Sequence, residues 1–158
     1  MKLPQCTIYT RNAGLEISSF ERRAEGKPCE GRISLRFFTL GSGTQQVRFV
    51  AHPGEGFELY RLIKKVYLEG NRETLTHKFE GSDGEVTSTL IIEKFEKNNR
   101  TGFAFKIQRG GESINIPTSA SDFLYAAEFL RHLSLSEAWV EKAPKEGRFK
   151  VEQSDVRN

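Results

Sequence analysis

Short runs of alternating apolar and polar residues recur along the chain, separated by turn residues, and only two stretches carry helical spacing. Gln5 to Thr10 and Leu15 to Phe20 flank Asn12-Ala13-Gly14 and predict a hairpin, followed by a polar loop from Glu21 to Gly31. Ile33 to Leu40 and Gln46 to Ala51 alternate more cleanly, and Gly41-Ser42-Gly43 between them supplies the positive dihedrals that a tight reversal needs. After His52-Pro53-Gly54, Phe57, Leu59, Leu62, Ile63, Val66 and Tyr67 share one stripe beside Arg61, Lys64 and Lys65. This predicts an amphipathic helix closed by Gly70.

The same order then recurs. Thr74 to Glu80 and Glu85 to Phe95 flank Gly81-Ser82-Asp83-Gly84, and Asn98-Asn99-Arg100-Thr101-Gly102 leads into Phe103 to Arg109. Gly110-Gly111 turns the chain into Ser113 to Ile116, which stops at Pro117. Ser119 or Ser121 can cap a second helix, with Phe123, Ala127, Leu130 and Leu133 at helical spacing and Leu135 to Val140 as an extension. Beyond Ala143-Pro144 large apolar residues become scarce, so 1–143 is expected to form one α+β domain and 144–158 a mobile charged tail.

The expected architecture is α+β: two strand-strand-strand-strand-helix units forming a curved antiparallel sheet backed by two helices. Neither helix can bury its stripe alone, so both belong on one face of the sheet and the other face stays free. Strand parity sorts the side chains between these faces. Ile33, Leu35, Phe37, Val47, Phe49, Leu90 and Ile92 go inward with Phe103, Phe105 and Ile107. Arg36, Phe38 and Arg48 go outward, as do Thr76, Lys78, Thr87, Thr89, Ile91, Ala104, Lys106, Gln108, Ser113 and Asn115.

An apolar platform set among Arg, Lys, Asn and Thr suits unpaired nucleic acid, whose bases stack on flat groups while cations and amides hold the phosphates. The candidate contacts are Arg36, Phe38, Arg48, Lys78, Ile91, Arg100, Lys106, Gln108, Arg109 and Asn115. The same spacing also fits a Phe38 packed under a loop or at a subunit interface, with the basic residues serving solubility.

Composition narrows the picture without deciding it. The 24 Lys and Arg exceed the 21 Asp and Glu only slightly, so a basic surface has to come from arrangement. The opening MKLPQCTIYT lacks the pattern of a secretion signal and no apolar run reaches membrane length; the expectation is a soluble intracellular protein, cytoplasmic or associated with nucleoid or nucleus. Cys6 and Cys29 lack metal or redox spacing and are expected to be reduced thiols.

Enzymatic and cofactor chemistry finds no foothold in the pattern. His52, His77 and His132 fall on a loop, a strand and a helix without metal-ligand spacing, so no metal and no cofactor is expected. The two glycine-rich turns join antiparallel strands instead of opening a helix, so they do not cradle phosphates in the nucleotide-binding manner. Asp122 and Glu128 suit a helix first turn and a solvated face, and Trp139 a hydrophobic clamp after the last helix.

The segment Thr101-Gly102-Phe103-Ala104-Phe105-Lys106-Ile107-Gln108-Arg109-Gly110-Gly111, continuing through Ile114-Asn115-Ile116-Pro117 into Ser121-Asp122-Phe123-Leu124-Tyr125, resembles a repeat of the Pur-alpha family. Four strands plus a helix, occurring twice, is similar to the plant Whirly proteins and to the guide-RNA-binding proteins of kinetoplastids. The Whirly signature Lys-Gly-Asn-Ala is absent, and Arg36 is the nearest analogue in the first half to the position of Lys106. The resemblance implies a non-enzymatic single-stranded DNA- or RNA-binding protein that assembles as a homo-oligomer. The alternative class is a protein-interaction or scaffold module using the same sheet face.

Overall fold

In the computed structural model, which describes residues 2–142, the alternating runs form β1 (Gln5–Tyr9), β2 (Ala13–Arg22), β3 (Cys29–Thr39) and β4 (Gln46–Ala51), followed by α1 (Pro53–Glu69). The second unit comprises β5 (Arg72–Gly81), β6 (Gly84–Lys97), β7 (Arg100–Arg109), β8 (Glu112–Thr118) and α2 (Ala120–Ser136), and a short β9 (Val140–Glu141) follows. All strand pairs are antiparallel. Hydrogen bonding follows chain order within each unit, β1-β2-β3-β4 and β5-β6-β7-β8.

The expected single curved sheet is therefore two sheets. Each meander closes on its own neighbours, and α1 carries the chain from the edge strand of one sheet to the edge strand of the other. Side chains span the junction: the Phe49 ring of β4 stacks on His77 of β5 with centroids 4.1 Å apart. Arg109 of β7 donates to Ser88 Oγ at 2.9 Å and to the Arg48 carbonyl at 3.3 Å.

Inward rows follow the alternation. Leu15, Phe37 and Val47 lie side by side across β2, β3 and β4, as do Ile17, Leu35 and Phe49, and all six are buried. The helices pack on each other and on both sheets, so one core joins the two units. At its centre Phe123 of α2 stacks on Phe103 at 4.5 Å and leans on Phe105 at 5.2 Å. Burying each such ring contributes about 1.5–3 kcal/mol.

Local chemistry explains the element ends. Pro53 begins α1, where its missing N–H costs nothing, and the His52 N–H donates back to Glu55. Of the two serines that could cap α2, Ser119 does so, its hydroxyl accepting from the Asp122 N–H at 3.1 Å. Asn98 and Asn99 form the β6–β7 turn with φ of 54° and 62°, the paired positive dihedrals of a two-residue reversal that matches strand twist. Pro117 fits within β8 because that strand is an edge, bonded only to β7.

Several boundaries differ from expectation. The loop predicted over Glu21 to Gly31 shrinks to 23–28, since β2 runs on to Arg22 and β3 starts at Cys29. Cross-strand pairing keeps these polar residues extended. Ala13 and Gly14 belong to β2 instead of a turn, and the reversal before β7 needs only Asn98 and Asn99. The proposed extension of α2 through Val140 also fails. The helix stops at Ser136, and Val140 and Glu141 return to pair with Glu30 and Cys29. That return is held by the Gly31 N–H, which donates to the Trp139 carbonyl, and by the Trp139 indole N–H, which donates to Glu137. A side chain at Gly31 would collide with the Glu137 carbonyl. The tail expected over 144–158 lies outside the described residues.

Candidate nucleic-acid interface

The helices cover only the inner faces, so the outer faces of both sheets are built from the opposite strand parity. On the first sheet, register aligns Tyr9, Gly14, Phe38 and Gln46 in one row and Thr7, Glu16, Arg36 and Arg48 in the next. The Phe38 ring leans across to β2 and lies over Gly14, where any side chain would collide with it. Tyr9 meets this ring edge-on at 6.1 Å, and the Arg36 guanidinium lies over it, 4.4 Å from the centroid. Arg36 is also held by Glu16 at 2.7 Å and by Gln46 at 3.2 Å.

This arrangement divides the roles of the outward residues. Arg36 is a half-buried, partly neutralised cation whose plane is fixed by a ring beneath and a carboxylate beside it. Such a fixed guanidinium is itself a flat surface for a base. Arg48 is exposed and has no ion-pair partner among the described residues, which leaves its charge available to a phosphate. Ser34, on the same face, is buried and its hydroxyl has no hydrogen-bond partner among the described residues.

On the second sheet the outer rows are Thr74, Ile91, Lys106 and Asn115, then Thr76, Thr89, Gln108 and Ser113. Lys78, Arg100, Gln108 and Asn115 are exposed and Lys106 is half-buried; none of the three cations forms an ion pair among the described residues. Two candidates are placed otherwise than expected. Ile91 has the outward parity but is only 1% exposed, because β6 is an interior strand and neighbours on both sides close over it. It offers no bare platform. Arg109 shares the inward parity of Phe103, Phe105 and Ile107, and its guanidinium is spent on Ser88, on the Arg48 carbonyl and over the Phe79 ring at 5.0 Å. It ties the sheets together.

Two outward aromatics were absent from the candidate set. Tyr9 is 67% exposed at the end of β1, and Phe95 lies near the end of β6 opposite Gly102. The parity that sends Leu90 and Ile92 inward already sends Phe95 outward. What alternation could not show is the register that sets Phe95 opposite Gly102.

The chemistry of the remaining reactive groups is quiet. His77 Nε2 lies 2.5 Å from Glu55 and His52 lies 3.5 Å from it, but no cluster of three or more potential ligands occurs among the described residues. Cys6 and Cys29 are free and buried. Burial, reinforced by Asp122, pushes the Cys6 thiol up to about 11, so it stays protonated and unreactive at neutral pH. Among the described residues no helix is long and apolar enough to cross a membrane.

No protein-family model matches the chain, and no curated protein matches it in sequence. Solved structures do match. The plant transcriptional regulator PBF-2 aligns at a TM-score of 0.54 with 15% identity, covering 87% of this chain and 83% of that one. WHY1 from Arabidopsis thaliana aligns at 0.56 with 15% identity, covering 99% and 92%. The fold is Whirly-like. At this identity the likeness is one of architecture; here it consists of two antiparallel sheets, one of five strands with β9 and one of four, and two helices, in the element order that the alternation predicted. Within the Whirly-like frame, the outer faces carry this chain's own residues.

Proposed function

We propose that the protein binds single-stranded DNA or RNA along the outer faces of its sheets, by stacking and phosphate contacts and without catalysis. The observation that carries this is the outer surface, uncovered among the described residues, where aromatic rings lie on glycines near cations that form no ion pair among those residues: Arg48, Lys78, Arg100 and Lys106. Gln108 and Asn115 add exposed amides that can bond base edges or phosphates. Arg36 with Phe38 forms a preoriented planar pair. The family resemblance and the Whirly-like fold support the same reading, in which the protein works inside the cell. A thirty-base single strand, fluorescently labelled, is expected to bind much more tightly than the corresponding duplex, because a sheet face offers no helix to enter a major groove. Equal affinity for the two would overturn the proposal.

Self-association belongs to the same proposal and is supported by the helix side. Phe57 was expected in the buried stripe of α1 yet is 45% exposed beside Tyr60, and Tyr125 of α2 is 61% exposed beside Phe129. Aromatics of this kind are enriched where chains meet. Sedimentation equilibrium at micromolar concentration should give a multiple of the monomer mass. A strictly monomeric mass would remove the oligomer from the proposal while leaving the binding face untouched.

A further inference from the structure

We infer that the tip of the β6–β7 hairpin is a base-stacking site in its own right, built on Phe95, and that it takes one unpaired nucleobase of a bound strand together with an adjoining phosphate. The inference rests on the proposed single-strand binding and adds to the expected contact Arg100 a ring that the expected contacts did not include.

Both sheets carry an outward phenylalanine lying on a glycine of the neighbouring strand, but the two rings are not in the same condition. Phe38 over Gly14 already has Arg36 above it and Tyr9 at its edge. Phe95 lies on Gly102, its Cζ 2.5 Å from where a side chain would begin, and has no aromatic or cationic partner among the described residues. One ring face is seated on backbone, and the half-buried ring borders open space. Around it a shallow depression is lined by Lys97, Asn98, Arg100, Thr101 and Gly102.

These groups are what a nucleotide requires. A half-buried ring gives a flat apolar surface, Lys97 and Arg100 face each other across the strands within two residues of it, and Asn98 and Thr101 supply neutral hydrogen-bonding groups. The platform is also preorganised. The two-residue turn at Asn98 and Asn99 fixes the strands, and Gly102 lets the ring lie down without an obstructing Cβ. Among the described residues neither Lys97 nor Arg100 forms an ion pair with a carboxylate.

The decisive experiment titrates Phe95→Leu and Phe95→Trp with the labelled thirty-base strand, each variant checked by thermal melting. Leucine keeps apolar cover on Gly102 but cannot stack, so affinity should fall about 5- to 100-fold with an unchanged salt slope. Phe95→Trp, placed in a Trp139→Phe background, should retain binding, and its indole fluorescence should be quenched by the strand. Wild-type affinity for Phe95→Leu, or an unquenched indole at saturation, would overturn the site while leaving single-strand binding in place. Failure of the unaltered protein to bind the strand at low salt would overturn both. If Phe95→Leu does not fold, the indole signal alone decides.

Discussion

Phe37→Ala should cost about 3–5 kcal/mol of stability, the loss expected when a wholly buried ring is removed from a core that cannot collapse around the gap. Phe37 is 0% exposed and is flanked in register by Leu15 and Val47, all three within the cluster that joins both sheets and both helices. Its chain neighbour Phe38 faces the other way, over Gly14. Phe38→Ala should therefore leave the fold intact, at a cost of about 1 kcal/mol for the lost cross-strand contacts. It should still weaken strand binding by about 1–3 kcal/mol at every salt concentration, since a planar support releases few counterions. Thermal or urea unfolding of the two variants compares the faces directly. If Phe38→Ala unfolds the protein and Phe37→Ala does not, the inner and outer faces have been exchanged and the proposed interface is lost with them.

The second large effect concerns charge. In the triple variant Arg48→Ala, Lys78→Ala, Lys106→Ala, the slope of log affinity against log salt should flatten by about 2–3 units. Affinity at about 50 mM salt should fall on the order of 10³-fold, because each lost phosphate contact forfeits its counterion release. These three cations lie on the outer faces of both sheets and have no ion-pair partner among the described residues. Arg36→Ala should flatten the slope by less than one unit, since Glu16 already offsets its charge. Arg109→Ala should leave the slope unchanged and lower stability, because its guanidinium joins the sheets. A triple variant with an unaltered slope would place the phosphates elsewhere. Affinity of the unaltered protein that barely responds to salt would favour the protein-interaction alternative instead.

Alternation with period two is a local property, and it determined a great deal about this protein. From residues a few positions apart came the two strand-rich units, each closed by a helix, and the inward sets of β3, β4, β6 and β7. The outward placement of Arg36, Phe38, Arg48, Lys78, Lys106, Gln108 and Asn115 came from it too. Other features depend on which strand lies beside which, and at what register, and alternation carries no information about that. Glu16 neutralises Arg36 across 20 positions of chain. Gly14 beneath Phe38 and Gly102 beneath Phe95 become meaningful only when register sets each glycine opposite a ring. Ile91 and Arg109 show the same limit, one enclosed by neighbours in an interior strand, the other drawn to a junction between sheets. The division into two sheets and the return of Val140 and Glu141 onto Cys29 and Glu30 are likewise long-range pairings. Local spacing decided which way each side chain points; only tertiary pairing decided what it meets there, because a side chain's charge and exposure are set by neighbours that are distant in sequence.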